Sequence, residues 1–198
     1  MSPRTAALLI VLALAAVAGA WLLFAPSGGE SPAGAPPIAA GEDVEDAEET
    51  AATTPATLYL LGGDGYLHGA EIEAPADDEE ARIRALLEAL LATADRADDL
   101  ASPLPPGTEL GGLYFLEPAA LALDLRLPEG VTLGGVGAKY EMLSLYSLVN
   151  TVTLNSERIE RVVVMVDGQQ PPTLAGHIDL TRPLTANRSW IAPSSTSG

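Results

Sequence analysis

Apolar residues recur at helical spacing through "DDEEARIRALLEALLATAD", at Ile83, Leu86, Leu87, Leu90, Leu91 and Ala94, and they predict one clear amphipathic helix. Asp77 as N-cap with Glu80 three residues on makes a capping-box-like start, while Asp78 and Glu79 complement the positive end of the helix dipole. A second helical pattern runs from about Lys139 to Leu154, with Met142, Leu145, Tyr146, Val149 and Val152 on one side and Leu148 widening the face. Around these helices the pattern is strand-like. "TLYLLGG" is a short apolar run closed by a Gly-Gly turn, and "YLHGAEIEAP" alternates loosely up to a proline. "GGLYFLEPAALALDLR" reads as a hairpin around Glu117-Pro118, its second strand burying Leu121, Leu123 and Leu125 and wetting Ala122, Asp124 and Arg126. "VVVMVDG" is continuous in β-branched residues, as in a central strand covered on both faces, and "TLAGHIDLTRPL" suggests a last edge strand. The order strand, strand, helix, strand, strand, helix, strand predicts an α/β (α+β) fold, a small mixed sheet with two helices packed on one face.

One stretch does not fit a plain core. "SLVNTVTLN", residues 147–155, carries Asn150, Thr151 and Thr153 among its valines and leucines. Such side chains could be ligands, catalytic groups or hydrogen-bonding parts of a packed junction. The threonines, near a helix C-terminus, can bond back to carbonyls one turn earlier, and Asn150 can satisfy backbone groups where helix meets loop. The junction reading is preferred.

Ahead of this region the chain changes character twice. "AALLIVLALAAVAGAWLLFA", residues 6–25, has no charge and is long enough as a helix to span a bilayer. Arg4 precedes it and no Lys or Arg follows until Arg82, so residues 1–5 are expected in the cytoplasm and everything after residue 25 outside it. Trp21 and Phe24 suit the far interface. The competing reading is a cleavable signal peptide with a site at Ala18-Gly19-Ala20. Residues 26–55 are rich in Pro, Gly, Ala and acids and read as a disordered tether, with the folded domain at 56–192 and a short disordered tail at 193–198. The expected location is the cytoplasmic membrane, single-pass, with the main domain periplasmic or otherwise extracytoplasmic.

Charge and composition narrow the chemistry. With 27 acidic against 10 basic residues the chain carries a formal charge of −17, which repels nucleic acid. There is no cysteine, which removes disulfides, thiol catalysis and lipidation at this end. Neither a G-x-S-x-G elbow, an H-E-x-x-H pair nor a G-x-x-x-x-G-K-[ST] loop occurs, and "LGGVGAKY" lacks phosphate-loop spacing. "GHID" is the most ligand-like stretch, because alternation in a strand would point His177 and Asp179 to one face. It supports an alternative reading as an envelope hydrolase or a small-ligand or metal-binding domain; the preferred reading has no catalytic residue, no metal and no cofactor.

The segment "SLVNTVTLNSERIERVVVMVDGQ" resembles the GerMN domain family of spore germination and sporulation proteins, also found singly in envelope proteins. The matching positions are Tyr59 in the opening strand, the Leu90-Leu91 helix end, "PLPPGTEL", Asn150, Thr151 and Thr153, the Asp167-Gly168 strand end, and His177, Asp179 and Pro183 in "GHIDLTRPL". The resemblance covers about residues 56–192. It implies a compact α/β unit similar to ring-building motifs and no established enzymatic activity, with those nine non-leucine positions structural. Sporulation members are typically lipoproteins with two such domains in tandem; here there is one domain behind a helical anchor. The function expected is a non-enzymatic assembly module of the cell envelope, bound to the membrane through residues 6–25 and to an envelope protein, with lateral packing of copies into a homo-oligomer as a further reading.

Overall fold

A computed structural model describes residues 52–93, 99–131 and 137–193, all within one unit, Ala51–Gly198. The apolar segment 6–25 and the tether up to residue 51 lie outside these residues. Among the described residues no helix is long and apolar enough to cross a membrane.

The chain opens with a hairpin of β1 (Thr53–Leu61) and β2 (Leu67–Pro75), paired antiparallel from Thr53↔Pro75 to Leu61↔Leu67. Thr53, Thr54 and Pro55, read from sequence as tether, are therefore strand, held by their pairing with Glu73, Ala74 and Pro75. Helix α1 (Glu79–Ala92) follows. Its N-cap is Asp78 rather than Asp77: the Asp78 carboxylate accepts from the N–H groups of Glu80 and Ala81. Ile83, Leu86, Leu87, Leu90 and Leu91 are buried, as their spacing predicts.

β3 (Glu109–Leu116) and β4 (Ala120–Arg126) form the second hairpin, with a bulge between Leu110 and Gly112 and a cis Glu117-Pro118 bond in the turn. Helix α2 (Ala138–Thr153) then crosses over to β5 (Arg161–Val166), which runs parallel to β4, and β6 (Leu184–Thr185) adds two residues antiparallel to β5. A 3-10 turn, Arg188–Trp190, follows.

The single sheet expected from sequence is thus two sheets, β1-β2 and β3-β4-β5-β6, with the two helices packed against each other and each touching both. The separation follows from α2, which lies along the edge of β1 where a further strand would otherwise join. One core unites the pieces: Leu58 and Leu60 of β1, the α1 leucines, Leu121, Leu123, Leu125, Val162 and Val164 of the larger sheet, and Leu145, Leu148, Val149 and Val152 of α2.

Two burial patterns differ from expectation. β5 is covered on one face only, with Val162 and Val164 buried and Val163 and Met165 half-buried, because both helices lie on the same side of the sheet. In β4 the positions expected to be wet, Ala122 and Asp124, are buried at 5% and 7% exposure. Neighbouring strands on both sides crowd these small side chains, and Asp124 has a backbone partner described below. The last edge strand expected over "TLAGHIDLTRPL" is cut down to its final residue, Leu184, which opens the two-residue β6; residues 173–183 form an irregular loop that closes over α2.

Candidate functional site

Helix α2 is buried almost all round, and its interior side carries polar residues: Glu141, Ser144, Ser147, Asn150 and Thr151 are each at most 1% exposed. Burying such groups costs free energy unless each is hydrogen-bonded, so their partners define what the helix does.

Two of them, Ser147 and Thr151, together with Asn155 just past the helix, serve the free edge of β1. In a strand the N–H and C=O of one residue leave on the same side, and alternate residues share that side. The Ser147 hydroxyl donates to the Tyr59 carbonyl at 2.6 Å, and one turn later the Thr151 hydroxyl accepts from the Tyr59 N–H at 3.1 Å. One turn further, the Asn155 carboxamide takes both groups of Thr57: its Oδ1 accepts from the N–H at 2.9 Å and its Nδ2 donates to the carbonyl at 2.7 Å. Leu61, next along the same edge, exchanges two hydrogen bonds with Ala101, at 2.8 and 3.1 Å. At the other end the same alternation falls on Pro55, which has no N–H to satisfy. A stripe of side chains on a helix thus takes the place of a β-strand.

Asn150 faces elsewhere. Its Nδ2 donates to the Asn187 carbonyl at 3.1 Å and its Oδ1 accepts from the Asn187 N–H at 2.9 Å, clamping the C-terminal segment onto the helix. The Thr153 hydroxyl donates to the Val149 carbonyl at 2.7 Å. The Thr151 hydroxyl has its bond across to β1, as acceptor from the Tyr59 N–H, rather than back along the helix. Ser144 ties down the loop before β3, donating to the Pro103 carbonyl at 2.7 Å.

Glu141 organises the loop that carries "GHID". Its side chain is wholly inaccessible, and Oε1 accepts from the N–H groups of Leu174 and Ala175 at 3.0 and 2.7 Å. Oε2 accepts from the His177 N–H and meets His177 Nδ1, both at 2.9 Å. Burial pushes this carboxyl up, but the Ala175 N–H, the His177 ring and further backbone N–H groups together outweigh it and hold Glu141 below the usual glutamate range.

The His177 and Asp179 pair expected on one face of a strand is not formed. His177 turns to Glu141, while the Asp179 carboxylate accepts from the Thr181 hydroxyl at 2.6 Å and the Thr181 N–H at 2.9 Å. Among the described residues no group of three or more His, Asp or Glu side chains gathers as a metal would require. Pro183, exposed, leads directly into β6.

Asp167 and Gly168 form the turn after β5, both at positive φ (50° and 75°), with Val166 and Gln169 exchanging backbone bonds across it as in a two-residue hairpin. The Gly168 N–H donates to the buried Asp124 carboxylate at 2.9 Å, which accounts for the burial of that residue. Tyr59 contributes its backbone to the seam.

Ser147, Asn155, Glu141 and Ser144 were not singled out in the sequence. The signal for the first two was the polar stripe Ser147, Thr151, Asn155 at intervals of four in an otherwise apolar segment. Glu141 had no local signal, since its partners lie more than thirty residues away.

Comparison with known proteins places this architecture. The model of the Germane family, described as "Sporulation and spore germination", matches residues 57–171. The tandem GerMN domains of the Bacillus subtilis sporulation protein GerM share 18% identity at a TM-score of 0.52, covering 79% of this chain and 51% of theirs, so this chain spans about half of that tandem. The first GerMN domain of the same protein alone gives 15% identity and a TM-score of 0.49 over 69% of this chain and 99% of that domain. A Clostridium perfringens protein assigned as a lipoprotein gives 21% and 0.48 over 67% and 87%. No curated protein matches the sequence.

Proposed function

The chain belongs to the Germane family, and from that premise we propose that it is a non-enzymatic, extracytoplasmic GerMN-like module on a membrane anchor, acting through protein contacts within the bacterial cell envelope. The observation that carries this reading is the use made of the buried polar side chains. Ser144, Ser147, Asn150, Thr151 and Asn155 all spend their hydrogen-bonding groups on backbone, and Glu141 on a loop of its own chain. None points a free group into a cleft, which is what a nucleophile or general base needs in order to reach a substrate. The anchor is residues 6–25, uncharged and of spanning length, with the tether between it and the domain. The hydrolase or metal-binding alternative at His177 and Asp179 loses its geometric basis, since each of the two groups is directed to a different partner.

Crosslinking of the full chain in its host, followed by mass spectrometry, tests the proposal, with an anchor-and-tether form lacking residues 56–192 as the control. Capture of a partner by the full chain alone is the expected outcome. Equal capture by the control, or none by either, overturns it.

A further inference from the structure

The four edges of the two sheets are not treated alike. That of β1 is filled by α2, and β6 is only two residues long. β2 carries Glu71 and Glu73 along its length and ends on Pro75, the usual guards against an incoming strand. On β3 the first half is disturbed by its bulge, but Leu113, Tyr114, Phe115 and Leu116 follow with neither charge nor proline.

Backbone direction at this edge follows from its neighbour. The Leu125 carbonyl accepts from Asp167 and the Ala119 carbonyl from Arg161, so the odd-numbered residues of this strand face β5 and the even-numbered ones face β3. Tyr114 and Leu116, opposite Ala122 and Ala120, therefore make the ladder. Leu113 and Phe115 turn their N–H and C=O outward, and no described residue pairs with that edge. The side chains there are apolar on both faces: Tyr114, Phe115 and Leu116 are 54%, 43% and 43% exposed. Beside them lies a hollow of about 270 Å³ between Phe115, Leu116, Ala119, Ala120 and Ile159.

We propose that this half of β3 accepts an added strand, an extended segment of a partner protein that is apolar at alternate residues and basic at its ends. The proposal rests on the reading of the domain as an interaction module. Main-chain bonds to Leu113 and Phe115 supply register, and one side chain of the added strand enters the hollow. The basic ends answer Glu109 and Glu117 at the two ends of β3, and Glu88, which shares a depression with Glu109. Arg158 at the rim of the hollow is directed to Glu79, 3.4 Å away. A second copy of this chain is a poorer occupant: three side chains of roughly 150–250 Å² each, about half exposed, offer about 300 Å² per copy. A stable pair needs about 800 Å² per partner, and the copies share a charge of −17.

The test uses the full chain and a blocked peptide of alternating valine and threonine with lysine at both ends. Residue-level hydrogen exchange is expected to show the Phe115 amide protected at least tenfold on adding the peptide, with the Tyr114 amide unchanged because it is already in the ladder. The same peptide N-methylated at its valines should bind at least tenfold more weakly, and Phe115→Pro should abolish binding while Phe115→Leu retains it. Absence of binding up to ~1 mM, binding without protection of Phe115, equal binding of the N-methylated peptide, or protection that depends on protein concentration without peptide each overturns the proposal. Should Phe115→Pro fail to fold, the exchange result stands alone. A partner crosslinked equally by wild type and a folded Phe115→Pro variant overturns this site but leaves the interaction role; absence of any crosslinked partner overturns the role.

Discussion

At the scale of single residues, Glu141 is the buried charge on which the loop 173–178 depends. E141Q replaces an acceptor of several N–H donors by a group that itself donates, and should cost about 3 kcal/mol in denaturant unfolding at neutral pH. The pH dependence has a definite sign. Because the folded carboxyl is held below its ordinary value of 4.5, the unfolded chain takes up the proton first. The stabilisation is present above that value and is lost as pH falls through the lower folded one, so the gap between wild type and E141Q should close on acidification. A gap independent of pH between 7 and 3 would count against an ionised Glu141. Asn150→Ala strips partners from both backbone groups of Asn187 and should lower stability by about 2 kcal/mol, read from the urea midpoint. The sequence suggested that Asn150 satisfies backbone groups; that these belong to Asn187, far along the chain, only the fold could disclose.

The helix-to-strand seam belongs to the scale of elements. Asn155→Ala leaves the Thr57 N–H and C=O without partners and should cost about 2 kcal/mol, with faster exchange of the Thr57 amide and no change at Leu58, whose backbone faces β2. Equal acceleration at both amides would mean the hairpin opens as a whole. Helices and hairpins were legible in the sequence because their signals are local: leucine spacing in α1, the turn residues around Glu117-Pro118. The seam was not, because a polar stripe in an apolar helix has the same appearance whether it meets a strand edge, a ligand or water. The single cover on β5 is hidden for a related reason: β-branched residues favour strands on either a covered or an open face, so composition alone does not tell one layer of helix from two.

For the molecule as a whole, the C-terminal passage completes what the first part leaves open. The family match stops at residue 171, yet Glu141 and Asn150 find their partners beyond it, and Ile191 and Ala192 add backbone contacts to Leu67. A chain ending at residue 171 loses every donor to Glu141 and the partner of Asn150 and bares the face of α2 that they cover, and should show no cooperative unfolding transition in circular dichroism, whereas one ending at residue 193 should. A cooperative transition in the shorter chain would show that α2 can satisfy itself by other means. This dependence was beyond sequence reading, since "GHIDLTRPL" looks like a strand and serves as a cover.

The sealed edge of β1 has a further meaning in the vocabulary of polymers. A strand edge is a reactive end, and a unit with two such ends grows into a fibre while a unit with one stops at a pair. α2 caps one end, two glutamates and a proline guard another, β6 offers almost nothing, and among the described strands β3 remains. By its edges, then, the domain is monovalent: copies can be crowded together without propagating strand to strand.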